Sequence, residues 1–145
     1  MYDIFRTNNK ECEYMEFKNC FEKFDMDGKL LTDVLTVEFD KIQWSKHQAF
    51  EGVELKHLIT SKETGGEFSY HLVKIAPSCK IGLHVHKEQL ETHEVISGKG
   101  KCLNNGALIE YRTGIISIFP KNIQHEVMAE DEGLLLFAKF IPALL

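Results

Sequence analysis

The chain has 145 residues, 43% of them hydrophobic, and its 17 basic and 22 acidic side chains give a formal net charge of −5. A chain of this length can bury roughly 70% of the surface it exposes when unfolded, so one domain can fold around a real core without covalent staples. A net negative chain with no basic cluster lacks the attraction that supplies most nucleic-acid affinity, and its longest apolar run, Leu134 to Ala138, is far short of a bilayer span, so neither nucleic acid nor membrane is an expected partner.

Residues 1–33 stand apart from the rest. Tyr14, Phe17, Phe21 and Phe24 recur at helical spacing among charges, yet the stretch also partly alternates, so helix and strand both remain open. It is too apolar to float free and is expected to be an arm that packs on the domain or on a second subunit. Asp25-Met26-Asp27-Gly28 resembles the start of a calcium loop, but its Gly comes too early and Thr36 stands where the loop needs Glu; a plain turn is expected. The N-terminus has no apolar secretion segment, and Cys12, Cys20, Cys79 and Cys102 form no CxxC pair, which points to a reducing cytoplasm.

From Val34 onward, short runs rich in Val, Ile, Leu, Phe and Tyr are punctuated by Gly, Pro and Asn, the rhythm of an all-β sandwich or barrel over residues 34–145. The predicted strands are Val34–Ile42, Val53–Thr60, Glu67–Ala76, Ile81–His86, Thr92–Ser97, Lys101–Asn104, Ala107–Tyr111, Ile115–Phe119, His125–Ala129 and Leu134–Phe140. Asn104-Asn105-Gly106 reads as a tight hairpin turn, because Asn and Gly tolerate positive φ. Gly65-Gly66 and Gly98-Lys99-Gly100 read as loops within the same unit.

The informative stretch is Ser78 to Gly98. His84 and His86 alternate with Val85, so on a strand both imidazoles face one side and can grip one ion. Glu91 opens the next strand and can bring a carboxylate beside them. Further on, Gly114, Pro120, Lys121, Asn122 and His125 describe a strand, a turn and a returning strand that begins with histidine.

These two segments resemble the paired motifs of the cupin superfamily, in which three His and one Glu hold a divalent metal inside a small β-barrel. The resemblance covers about Ser78 to Ala129 and implies a double-stranded β-helix, the jelly-roll barrel of small RmlC-like cupins, with His84, His86, Glu91 and His125 as metal ligands and a homodimer as the assembly. Ser78, Asn122 and Ala129 depart from the family pattern, but none is a ligand, and Asn122 can still close a left-handed turn. Imidazole and carboxylate suit Fe, Mn, Co, Ni, Cu or Zn, with open positions left for a substrate's oxygens.

Alternation from Glu91 places His93, Val95 and Ser97 inward. His93 can replace Glu91 as a ligand, act as a catalytic acid or base, or hydrogen-bond a ligand. His71 and His57 read as hydrogen-bonded core or interface histidines, Trp44 and His47 as packing or loop residues, and Cys79 and Cys102 as inert thiols. Lys139 is expected to lie along the surface, the other reading being a partner for an anion inside the barrel. Ile115, Ile116, Ile118 and the Leu134–Phe137 run are expected on apolar outer faces that pair with a second copy.

Three function classes follow. The first is an enzyme that uses the metal on a small oxygen-rich substrate, dioxygenase-like or isomerase/lyase-like. The second is a non-catalytic sensor of a small molecule, and the third is a storage protein, which a single barrel disfavours.

Overall fold

The computed structural model describes residues 20–145, so Cys12, Tyr14 and Phe17 lie outside the described residues. Runs of β-branched and aromatic side chains form β4 (Val53–Ile59), β5 (Ser69–Ile75), β6 (Lys80–His84), β8 (Ala107–Arg112) and β9 (Ile116–Phe119), all close to their predicted ranges.

Elsewhere predicted strands fuse. β7 runs unbroken over Leu90–Asn104 and β10 over His125–Ile141. Gly98, expected in a loop, lies inside β7 at φ +89°, and Gly133 lies inside β10 at φ +75°. A Cβ on Gly98 would collide with the Gly133 carbonyl oxygen, so the two strands bend together at a point that only glycine permits.

These bends fold the sheet, ordered β3 (Ser45–Lys46), β4, β5, β10, β7, β8, into a jelly-roll barrel. The second half of β10 lies between β5 and the first half of β7, and its first half lies between β6 and the second half of β7. β9 pairs with β7 beside Glu91–Glu94. The β7–β8 turn has Asn105 at φ +49° and Gly106 at φ +82°, the predicted two-residue hairpin.

Val73, Phe119, Val127, Leu134 and Leu136 fill the barrel, each at most 2% exposed. A second apolar cluster of Phe21, Phe39, Leu58, Leu72 and Phe137 lies against the outer face of the β4–β5–β10 sheet. The predicted strand Val34–Ile42 is cut down to β2 (Thr36–Glu38), which pairs with β1 (Lys29–Leu31) as a separate hairpin; a 3-10 turn, Phe39–Lys41, then drops Phe39 onto the sheet. Phe21 arrives on a helical turn, Cys20–Glu22, so helix is the form taken there.

A buried polar clasp holds this segment down. Lys56, on the outer face of β4, pairs with the Asp25 carboxylate and donates to the Phe39 carbonyl at 2.7 Å. Trp44 Nε1–H donates to the same Asp25 carboxylate at 3.1 Å. The Leu134–Phe137 run is therefore no free outer face: Leu134 and Leu136 point into the barrel, and Phe137 meets the edge of Phe24, ring centroids 5.0 Å apart. Ile115 also packs on the barrel core, while Ile116 and Ile118 stay exposed. No helix among the described residues is long and apolar enough to cross a membrane.

Candidate metal centre

His84 ends β6, His86 sits in the following loop, Glu91 is the second residue of β7 and His125 the first of β10. Closure of the barrel lays β10 against β6 and β7 and pairs His125 with His84. Asn122, left-handed at φ +66°, closes the turn before β10, and its backbone N–H donates to the His86 carbonyl at 2.9 Å. One donor atom from each of His84, His86, Glu91 and His125 thus lies within 4.8 Å of the others, so the group predicted from spacing is brought together.

Backbone carbonyls orient two of the rings. His84 Nδ1–H donates to Gly82 O at 2.7 Å, and His125 Nδ1–H donates to Ile123 O at 3.0 Å. In a neutral ring this leaves the lone pair on Nε2. His125 Nε2 then faces Glu91 Oε2 at 2.8 Å, and His86 Nε2 faces the same oxygen at 3.2 Å. Lone pairs facing a carboxylate oxygen repel unless a proton or a cation stands between them. A metal fits this spacing, since cis ligands with bonds of about 2.1 Å stand about 3.0 Å apart. Three imidazoles and a carboxylate, with no thiolate, are donors for a first-row divalent ion.

Burial alone would push the Glu91 carboxyl up. Its close polar contacts with His93, first, and with His125 and His86 outweigh it and hold Glu91 well below the usual carboxylate range. Burial also lowers the His84 pKa, against a raising hydrogen bond to Gly82.

His93 shares the inward face of β7 with Glu91, as alternation predicts. Its Nε2 lies 2.7 Å from Glu91 Oε1, and its Nδ1 lies 3.0 Å from the Tyr111 hydroxyl, which in turn makes a short contact with Ser117 Oγ. An ionised Glu91 can only accept, so His93 Nε2–H donates to it, and in a neutral ring Tyr111 O–H donates to Nδ1. The carboxylate is thereby divided between His93 on Oε1 and the other histidines on Oε2. Tyr111 and Ser117 were missed in the sequence. A lone serine between the outward Ile116 and Ile118 was the available signal, because alternation turns it inward.

A cavity of about 80 Å³ adjoins these side chains, walled by Leu55, Val73, Ile81, Ala138, Phe140 and Leu144. His47 also lines it, in addition to the packing and loop role expected of it: it follows β3 in a loop and its ring lies on Phe50. No local pattern marks His47: β3 brings it over the barrel by pairing with β4.

The remaining candidates fall away from the centre. His71 is fully buried, its Nδ1 2.8 Å from His57 Nδ1 and its Nε2 2.9 Å from Ser69 Oγ, a hydrogen-bonded core histidine whose pKa burial pulls down to about 4. Lys139 lies on the outer face, 3.8 Å from Glu94 and above the Tyr70 ring, so it offers nothing to the barrel interior. Burial pushes the Cys102 thiol up to about 11, as suits an inert residue.

Solved structures share this architecture at low identity. A predicted oxalate decarboxylase from Thermotoga maritima aligns with TM-score 0.65 and 22% identity, over 74% of this chain and 99% of that one. KdgF from a Halomonas species gives 0.63 and 16%, over 71% and 88%, and an RmlC-like cupin from Shewanella frigidimarina gives 0.63 and 15%, over 72% and 87%. No curated protein matches the chain in sequence. The family model for the ChrR cupin-like domain matches residues 32–143, which takes in every strand from β2 to β10, and with the barrel and the His/Glu cluster agreeing, this chain belongs to that cupin family.

Proposed function

We propose that the chain is a metal-dependent enzyme acting on a small oxygen-containing molecule, with His84, His86, Glu91 and His125 holding a first-row divalent ion. The convergence of His86 and His125 on one oxygen of an ionised, buried Glu91, beside an apolar-walled cavity, supports this reading most strongly. Such an ion supplies Lewis acidity, or redox chemistry if it is Fe, Mn, Co or Cu, and open positions for substrate oxygens.

The chain's own residues set the terms. The carbonyls of Gly82 and Ile123 aim two imidazoles, and His93, backed by Tyr111, holds a proton against Glu91 Oε1 so that Oε2 faces the centre. His93 is the catalytic candidate of this reading, since it lines the cavity beside the ligands. Leu55, Phe140 and Leu144 exclude water from the space where substrate would sit.

One observation favours a second reading, a binding module without turnover: both nitrogens of His93 are already engaged, so a base would have to break a hydrogen bond to act. Elemental analysis of protein purified without chelators or metal resin, beside His84→Ala and His125→Ala, tests both readings. Near-stoichiometric metal lost in both variants supports the centre, with O₂ uptake in a substrate screen marking an oxygenase and anaerobic turnover an isomerase or lyase. Bound metal without turnover of any substrate favours the binding module, and no metal even after reconstitution refutes both.

The same proposal divides the chain into an arm, residues 1–33, and one cytoplasmic barrel, residues 34–145, that pairs as a homodimer through the exposed Ile116 and Ile118. A particle of 16.7 kDa in light scattering at micromolar concentration would remove the dimer.

A further inference from the structure

His47 stands where two cavities meet. It lines the inner cavity beside His84, His86 and Glu91, and also an outer groove formed with Lys46, Phe50, Gly52 and Cys79. Its own position is fixed at three points. Its backbone N–H donates to Val53 O at 2.8 Å, its Nδ1 accepts the Ala49 N–H at 3.1 Å, and its ring packs on Phe50 with centroids 4.7 Å apart. Phe50 in turn approaches His84, centroids 6.1 Å apart, and fills the space above Gly82.

Because Nδ1 is an acceptor, the ring proton of neutral His47 must sit on Nε2. That N–H has no partner among the described residues and is not sealed from solvent. Burial lowers the pKa of His47, which favours the neutral donor form. The other polar side chains of the inner cavity are His84, His86, Glu91 and His93, and both nitrogens of His93 are occupied. None of the lining residues is Lys or Arg, so a second negative charge on a ligand would find no counter-charge there.

We propose that His47 is the substrate-anchoring residue at the cavity mouth, and that the ligand is a small, apolar-bodied molecule with one metal-ligating oxygen function and a second, uncharged oxygen that accepts from His47 Nε2–H. Dianions and polyhydroxylated sugars are the wrong class, because six apolar side chains wall the space and its volume is about 80 Å³. The inference rests on the metal reading above and goes beyond it in naming a recognition group and a ligand class.

Protein loaded with Co(II), whose visible spectrum reports ligand binding, is titrated with pentanoate, its 2-, 3- and 4-oxo derivatives, and oxalate. His47→Asn keeps an acceptor for the loop but its shorter side chain cannot carry an N–H as far as the imidazole Nε2, and His47→Phe keeps the ring packing without any polar atom. At least one oxo acid is expected to bind about fivefold tighter than pentanoate, as one hydrogen bond to a neutral donor implies. That gain should vanish in both variants while cobalt stoichiometry is unchanged, and oxalate should bind more weakly than that oxo acid. The inference is overturned if no oxo acid exceeds pentanoate, if the gain survives in either variant, or if oxalate is the tightest. Failure of the wild type to take up cobalt at all would instead overturn the metal reading.

Discussion

Tyr111→Phe isolates a buried polar contact that joins the candidate metal centre to β8. The substitution keeps the ring in the core and removes the hydroxyl that lies 3.0 Å from His93 Nδ1 and in short contact with Ser117 Oγ. Tyr111, His93 and Ser117 are 1%, 2% and 7% exposed, so water cannot easily replace the lost oxygen. Two buried polar atoms would be stranded, each worth about 1–3 kcal/mol, and a net destabilisation of about 2–4 kcal/mol is expected in the metal-free protein. The second effect is on the metal: without Tyr111, His93 is free to turn or change tautomer, and its grip on Glu91 Oε1 loosens. Groups that orient metal ligands in this way change affinity by about 10- to 100-fold when removed. Urea denaturation of chelator-stripped protein reads the first effect, and competition for Zn(II) with a chromophoric chelator reads the second. Metal affinity within twofold of wild type would refute the division of labour drawn here for Glu91, whatever happened to stability.

Three further outcomes are expected. His71 has a folded pKa near 4 against about 6.5 unfolded, so between those values the unfolded chain binds the extra proton and stability falls with falling pH, by up to about 2 kcal/mol from pH 7 to pH 5; His71→Asn should flatten that slope, and an unchanged slope would count against the assignment. Lys56→Met leaves the Asp25 carboxylate without its buried cation and should destabilise by about 3 kcal/mol, with a red shift of emission from Trp44, the only tryptophan, as the clasp opens; unchanged emission would show that the segment is held by its apolar contacts alone. Ser78 sits at φ +60° and Asn122 at φ +66°, so Ser78→Gly should stabilise by up to about 1 kcal/mol in thermal denaturation and Asn122→Gly by less, because Asn tolerates that region better; equal effects would argue against backbone strain at Ser78.

Side-chain type and spacing carried the His/Glu cluster almost entirely, since alternation and a returning strand are local rules. The hairpin at Asn105-Gly106 was legible for the same reason. What escaped was set by distant partners. Gly98 looks like a loop residue until Gly133 is known to pass beside it, and the two then become paired bends within long strands. Tyr111 looks like any core aromatic until β7 brings His93 across from it. Phe137 looks like an outer-face residue until the chain before β3 folds back over it. The cavity role of His47 lies beyond the reach of periodicity, because the cavity residues His84, His86, Glu91 and Phe140 are separated from it by whole strands.

β10 gives the folding process a particular order. It begins with His125 and passes Ala138 and Phe140 before it ends, and β7 runs beside it through most of that length. The centre therefore does not exist in any contiguous stretch of chain: His84, His86 and Glu91 can be neighbours early, but the fourth group arrives only when a strand more than thirty residues further on has docked along both β6 and β7. Such long-range closure is slow relative to hairpin formation. A metal ion present during refolding should thus speed little of the barrel's assembly and act mainly on unfolding, slowing it by tying the last-docked strand to the first-formed pair. Amide protons of Leu134–Phe140, in the half of β10 that lies between β5 and β7, should be the slowest in the molecule to exchange.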